Sequence, residues 1–176
     1  MAAINNLETL LKNKLSFEEQ KDLIITICKK LKEHHDKNEF DFLLNPKNIS
    51  LNFKNQTIIL NKKGNNNKEL FYLSPEEEFP KFLFGDLDVG NPVNKHTDIY
   101  GLAMLMWQIL NNGERLYNHM ICPYENIIKN IQLKNERPIF VDFKYPKFED
   151  LIKKMWMKFP EDRLTINEVL EILNNI

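Results

Sequence analysis

The amino-acid sequence predicts a mainly α-helical domain with one small β-hairpin. Apolar residues recur at helical spacing over most of the 176 residues, and residues 98–110 are apolar on every side. A helix of that kind is buried all round, so it requires other helices around it. Residues 49–60 differ, because two short apolar runs, ISLNF and QTIIL, flank a Lys54-Asn55 turn and are typical of paired strands.

The predicted helices follow one another with recognisable starts. The first covers residues 4–13, and the second begins at a capping box formed by Ser16 and Glu19. Ser74 is the N-cap of another helix start, and residues 79–96 indicate a connecting loop. Further helices are predicted over 98–110, 123–132, 147–158 and 165–174.

Composition and charge exclude several classes of partner. A formal net charge of −1 provides no positive surface for nucleic acid or an acidic membrane. The longest apolar run, IYGLAMLMWQIL, is too short to span a bilayer, and no signal peptide is visible. Cys28 and Cys122 lack metal-ligand spacing. We therefore expect a cytoplasmic protein that forms a single domain over residues 1–176.

Four motifs together resemble the C-terminal lobe of the protein kinase fold. The stretch LETLLKNKLSFEEQKDLIITICKKLKEHH is similar to the two helices before the family's catalytic loop, with His35 at a position where the family commonly has histidine. The tripeptide Ser-Pro-Glu that ends at Glu76 is similar to the Ala-Pro-Glu motif that closes the family's activation segment. The helix that carries Asp98 and Trp107 resembles the family's central helix. The stretch KFPEDRLTINEVL resembles the family's last-helix signature, with Arg163 at its arginine position. The resemblance implies a helical domain around a central buried helix, with the N-terminal lobe absent.

The resemblance also implies structural roles for these residues. Glu76 and Arg163 would form a buried ion pair that ties the activation segment to the last helices. Asp98 would accept hydrogen bonds from backbone amides of the catalytic loop. Trp107 belongs to the same scaffold.

The catalytic positions of the family carry other residues in this chain. The stretch NPKNISL resembles the end of the catalytic loop and places Asn48 at the metal-binding asparagine. Leu43 then replaces the catalytic base, Asn45 the lysine and Asn61 the magnesium-binding aspartate. Leucine cannot act as a base, and magnesium prefers carboxylate oxygens. The resemblance therefore implies a pseudokinase with no catalytic residue, no cofactor and no metal site, in which Asn48 is a relic.

Two readings stay open for the residues around these positions. Asn48 is either a relic metal ligand or a residue that stabilises its own turn. The apolar run from Phe42 to Leu44 is either ordinary core or part of a surface that a partner covers.

The expected function follows from the resemblance to one kinase group. Arg137-Pro138 and Met155-Trp156 are similar to motifs of the receptor-interacting protein kinases and the mixed-lineage kinase domain-like pseudokinase of necroptosis. The segment between Asn61 and Ser74 contains no Ser or Thr that a kinase could phosphorylate. We expect an inactive interaction module or decoy that binds a kinase of this type, including as a pathogen's mimic that blocks cell-death or defence signalling. The alternatives are an endogenous scaffold or regulatory subunit, and an enzyme with atypical nucleotide chemistry.

Overall fold

A computed structural model describes residues 5–52, 57–62, 70–77, 93–141 and 143–176. The predicted Lys54-Asn55 turn and most of the predicted loop over 79–96 lie outside these ranges. Within them the chain is mostly helical, with a small antiparallel sheet. The predicted fold class is confirmed at that level.

Six α-helices lie wholly within the described ranges, and residues 75–77 are also helical, after Ser74 as predicted. The six are α1 (Leu7–Leu10), α2 (Phe17–Asp36), α3 (Lys95–Leu110), α4 (Tyr124–Lys134), α5 (Pro146–Met155) and α6 (Ile166–Asn174). Short 3₁₀ turns occur at Leu70–Tyr72 and Pro160–Asp162. The capping boxes predicted at Ser16 and Thr165 are both formed, and each fixes the first turn of its helix.

The sheet contains one strand more than the predicted hairpin. Strands β2 (Ile49–Asn52) and β3 (Thr57–Leu60) pair antiparallel, with Ile49 opposite Leu60. Strand β1 (Asn5–Asn6) pairs with the other edge of β2.

This edge strand shortens the helix that the sequence predicted over 4–13. The Asn6 side chain accepts a hydrogen bond from the amide of Thr9 at 3.0 Å, so the helix begins at Leu7. Asparagine is a strong N-cap residue. The sequence analysis placed the helix start at residue 4 because it followed the apolar periodicity and not this N-cap.

Helix α3 lies in the hydrophobic core. Thirteen of its sixteen residues are buried, and it packs against α2, α5 and the 3₁₀ turn Leu70–Tyr72. Gly101 allows that turn to approach, because a Cβ at this position would lie only 3.3 Å from the carbonyl oxygen of Tyr72. Trp107 is 2% exposed, and its indole donates to the carbonyl of Ile139 at 3.1 Å. No helix within the described ranges is long and apolar enough to cross a membrane.

The two cysteines should differ sharply in reactivity. Cys28 is fully buried in α2, and burial raises the pKa of its thiol to about 12, whereas Cys122 is exposed. Because the thiolate is the reactive species, we expect Ellman's reagent to titrate one thiol rapidly in the native protein and the second only after unfolding. The Cys122→Ser variant should show no rapid reaction. Two rapidly reacting thiols would contradict this packing.

Candidate functional site

The candidate site is built on the loop of residues 41–48. Asp98 of α3 anchors this loop through a backbone hydrogen bond. Asp98 Oδ1 accepts a hydrogen bond from the backbone amide of Phe42 at 2.8 Å. His35 Nε2 lies 2.9 Å from Asp98 Oδ2, and the two side chains are 4% and 1% exposed. Burial raises the pKa of the Asp98 carboxyl, while the hydrogen bonds from His35 and Phe42 oppose that rise. Asp98 therefore joins α2, α3 and the loop.

The sequence analysis placed His35 at a histidine position of the family but did not assign it this contact with Asp98. The residue follows Ile27, Cys28 and Leu31 on the buried face of α2, so helical spacing alone carries it towards α3. A histidine on an otherwise apolar face needs a buried polar partner, and Asp98 is that partner. This spacing was the available signal.

Leu43 and Asn45 both point away from solvent. Leu43 is 2% exposed and belongs to the hydrophobic core, together with Phe42 and Leu44. Asn45 is 1% exposed, and its Oδ1 accepts hydrogen bonds from the amides of Lys47 at 3.0 Å and Asn48 at 2.9 Å. The loop is thus fixed by apolar packing on one side and by an asparagine cap on the other.

Asn48 and Asn61 lie next to each other. The backbone amide of Asn61 donates to the carbonyl of Asn48 at 3.3 Å, and the Asn61 side-chain Nδ2 donates to the same oxygen at 2.6 Å. The adjacent Lys62 pairs with Phe42 in an isolated β-bridge and places its Nζ 5.8 Å from the centroid of the Phe42 ring. The structure therefore brings Asn48 and Asn61 together at the end of β3, while Leu43 lies in the core.

The described residues do not fit the magnesium ion that the kinase family uses. Magnesium prefers carboxylate oxygens in octahedral geometry. Asn48 and Asn61 carry neutral amides, and the Asn61 Nδ2 already donates to backbone. No group of three or more His, Cys, Asp or Glu side chains suited to a metal occurs within the described ranges. We assign no metal-dependent step to these residues.

The second anchor of the site is a bidentate ion pair between Arg163 and Glu76. Arg163 Nη1 and Nη2 donate to the two carboxylate oxygens of Glu76 at 2.6 and 2.7 Å. The arginine side chain is fully buried, while that of Glu76 is 10% exposed. Burial would raise the pKa of the Glu76 carboxyl, but the hydrogen bonds and charge of Arg163 outweigh it, and the pKa lies below its usual value.

Arg163 also satisfies three backbone carbonyls. It donates to Met157 at 2.8 Å, and to His96 and Lys158 at 3.0 Å each. Its guanidinium lies 5.1 Å from the centroid of the Tyr100 ring, and the guanidinium of Arg137 lies at the same distance from that ring. The pair thus joins residues 74–77 to the start of α3 and to the segment after α5.

Comparison with known proteins identifies the family that this architecture resembles. Residues 87–173 match the family model described as protein tyrosine and serine/threonine kinase. This match supports a protein kinase-like fold for the chain.

Its relatives are named as kinases. A putative serine/threonine-protein kinase of Acanthamoeba polyphaga mimivirus is 29% identical over 88% of this chain and 55% of its own length. The dual specificity protein kinases shkD and shkB of Dictyostelium discoideum are 30% and 24% identical over 55% and 51% of this chain, and 13% and 14% of their own lengths. The chain therefore spans about half, or much less, of the relatives that it matches.

These matches correct one prediction. The sequence predicted a protein that is not an enzyme, from Leu43, Asn45 and Asn61 at the catalytic positions. The family model and the named kinases contradict that prediction and point to a kinase. The matches support the kinase-like fold and leave the finer resemblance to the receptor-interacting group without support.

Removal of Arg163 should destabilise the fold strongly. In the Arg163→Met variant, Glu76 and three carbonyls lose their donor, and breaking a buried pair on one side costs about 3 to 5 kcal/mol. Urea denaturation at neutral pH measures the change in the free energy of unfolding. The control is Lys153→Met, which breaks an exposed pair with Glu149 on α5 and should cost less than about 1 kcal/mol. Equal losses in the two variants would contradict the anchoring role.

The same ion pair predicts a dependence of stability on pH. Because the pKa of Glu76 is lowered in the folded state, its contribution is fully present above the ordinary glutamate pKa. The contribution is lost as the pH falls through the lowered value. The stability difference between wild type and Arg163→Met should therefore shrink in acid, and a difference that grows there would contradict this sign.

Proposed function

We propose that this chain is the C-terminal-lobe part of a kinase-family protein and that it binds a protein partner in a phosphorylation pathway. The observation that carries the proposal is the double anchoring of the site. Asp98 fixes the loop of residues 41–48, and Arg163 fixes residues 74–77, both against α3. Both segments are thereby held on a rigid buried helix.

A rigid scaffold of this kind favours binding because little conformational entropy is lost when a partner docks. The names of the relatives support a partner in a phosphorylation pathway, since the relatives reported above are all named as protein kinases. The partner that the sequence suggests is a kinase of the receptor-interacting or a related type.

Two modes of action would follow from the identity of that partner. A partner from a host organism would make the chain a competitor that sequesters or regulates host signalling. A partner encoded with the chain would make it a scaffold or regulatory subunit of its own organism's signalling. The mimivirus relative supports testing host extracts as well as the source organism.

Affinity capture with mass spectrometry tests the proposal, and helix α4 offers the surface to alter. Leu133 is 53% exposed on α4 and lines a shallow cavity together with Lys129. We expect the chain to enrich a protein kinase or a direct kinase partner, and the Lys129→Glu/Leu133→Asp variant to lose it. The matched control is Lys29→Glu/Ile59→Asp, which changes exposed residues on α2 and β3.

The outcomes of this capture are decisive. If no kinase-pathway protein rises above background for the wild type, the proposal fails. If both double variants lose the partner equally, the assignment of α4 fails.

A second candidate is phosphoryl transfer itself, which the family match and the named kinases favour. Under this candidate, the γ-phosphoryl group of ATP passes to a protein hydroxyl, and ADP and the hydroxyl proton are released. Radiolabelled ATP with magnesium or manganese in the buffer measures that transfer onto a generic protein acceptor. The Asn48→Ala variant serves as the control. Incorporation that falls in this variant supports the candidate, and incorporation equal to the no-protein blank contradicts it.

A further inference from the structure

Tyr117 combines a strained backbone with a buried side chain. It lies between α3 and α4, in residues 114–120, here called the Tyr117 segment. Its φ angle is +57°, in the left-handed region that is unfavourable for a bulky side chain. Within the described ranges, the other non-glycine residues with positive φ are all Asn or Asp, which tolerate this region: Asn38, Asp41, Asn112 and Asn135. The strain at Tyr117 therefore needs a compensating interaction.

Burial of the Tyr117 ring compensates for this strain only in part, because the hydroxyl has no partner. The side chain is 1% exposed, and its ring centroid lies 5.3 Å from that of Phe71. Tyr117 Oη makes no hydrogen bond in the described part of the chain. A buried hydroxyl of this kind has lost its hydrogen bonds to water without replacing them. Packing of the ring therefore favours the observed position, whereas the hydroxyl and the backbone oppose it.

The polar groups around Tyr117 also lack partners. Tyr100 Oη, Arg137 Nη2 and both ring nitrogens of His119 are buried, and none makes a hydrogen bond among the described residues. Burial raises the pKa of the Tyr100 and Tyr117 hydroxyls, and each hydroxyl also shifts the pKa of the other, so the two are neighbours. The ring centroids of Tyr117 and His119 lie 6.2 Å apart. An outward movement of the segment would give these groups access to water.

Two buried side chains anchor the Tyr117 segment in the core. Leu116 and Tyr117 are buried, whereas Glu114, Arg115 and Asn118 are exposed. The hydrogen bond from Asn118 Nδ2 to Glu114 Oε2, at 2.9 Å, joins two residues of the segment itself and does not tie it to the core. Parts of a protein with few buried contacts open locally at a lower free energy than the whole fold unfolds.

We propose that the Tyr117 segment is a local conformational switch, which opens and carries the Tyr117 side chain from the core to solvent while α3 stays folded. Burial of the ring favours the closed form. The left-handed backbone and the unpartnered hydroxyl favour the open form by a similar amount, so the two forms differ little in free energy.

Opening of the segment would also change how α4 is held. His119 Nε2 lies 3.8 Å from Glu136 Oε1, and this contact links the residues before α4 to those after it. Movement of His119 with the segment would break the contact and release α4 on that side. The switch is a property of this chain alone and needs no partner, although a partner that binds one form more tightly would shift the equilibrium.

Acetylation with N-acetylimidazole tests the switch, because the reagent modifies only tyrosine hydroxyls that it can reach. Tyr100 is the matched internal control, since it is equally buried and its hydroxyl is also unpartnered, but it lies inside α3. We expect mass spectrometry to show acetylation of Tyr117 in the native protein at least about ten-fold faster than that of Tyr100. Equal rates at the two positions, including no reaction at either, would overturn the proposal.

Hydrogen exchange of the Tyr117→Phe variant gives a second test, because phenylalanine keeps the ring and removes the unpartnered hydroxyl. Peptides that cover residues 114–120 should exchange about ten-fold more slowly than in the wild type, while peptides from α3 should not change. The matched variant is Tyr72→Phe, which removes a buried hydroxyl that is hydrogen-bonded to Gln108 and should not slow exchange of the segment.

Three results of the exchange experiment would contradict the switch. Unchanged or faster exchange of the segment in Tyr117→Phe would show that the hydroxyl does not favour opening. Equal slowing in Tyr72→Phe would show that the effect is not specific to Tyr117. Equal slowing of the α3 peptides would show that the segment opens only when the whole fold unfolds.

Discussion

The bidentate bond between Arg163 and Glu76 is the constraint on which the site's architecture depends. A fully buried guanidinium needs every donor satisfied, and here a carboxylate and three backbone carbonyls supply the acceptors. These acceptors come from residues 74–77, from the start of α3 and from the segment after α5. The hydrogen bonds of Arg163 therefore fix the relative positions of three parts of the chain that are distant in sequence. Asp98, two residues after His96 in α3, has a similar role, because it joins His35 and the loop of residues 41–48.

The helical part of the fold could be predicted because periodicity and capping agree along the chain. Residues 98–110 are apolar on every face, and the structure buries nearly all of that helix. Ser16 and Thr165 mark helix starts through side-chain chemistry that depends on local sequence alone. Strand β1 could not be predicted in this way. Two asparagines carry no strand propensity, and they pair with β2 only because the tertiary fold brings that edge close.

In the candidate site, too, some contacts could be predicted from the sequence and others depend on the tertiary structure. Motif positions sufficed to suggest a contact between Glu76 and Arg163, which are 87 residues apart, because the pair belongs to an architecture with a fixed order of elements. The cap formed by Asn45 could not be foreseen, since it depends on the loop conformation that brings the amides of Lys47 and Asn48 to its Oδ1. The residues at the family's catalytic positions also led to a wrong prediction. Three non-acidic residues suggested an inert protein, yet the chain matches a kinase family model and named kinases.

The burial of Leu43 connects the core to the chemistry of the surface. An apolar side chain at this position pulls the loop onto the core, where full burial of a leucine contributes about 1.5 to 3 kcal/mol. The loop then has little freedom, and Asn45, two residues on, is held by the amides of Lys47 and Asn48. The Asn45 side chain is consequently positioned by core packing. A carboxylate at position 43 would have to reach solvent or find a cation, and either movement would displace Asn45. Apolar packing at residue 43 and the side-chain cap at residue 45 are therefore two consequences of one loop conformation.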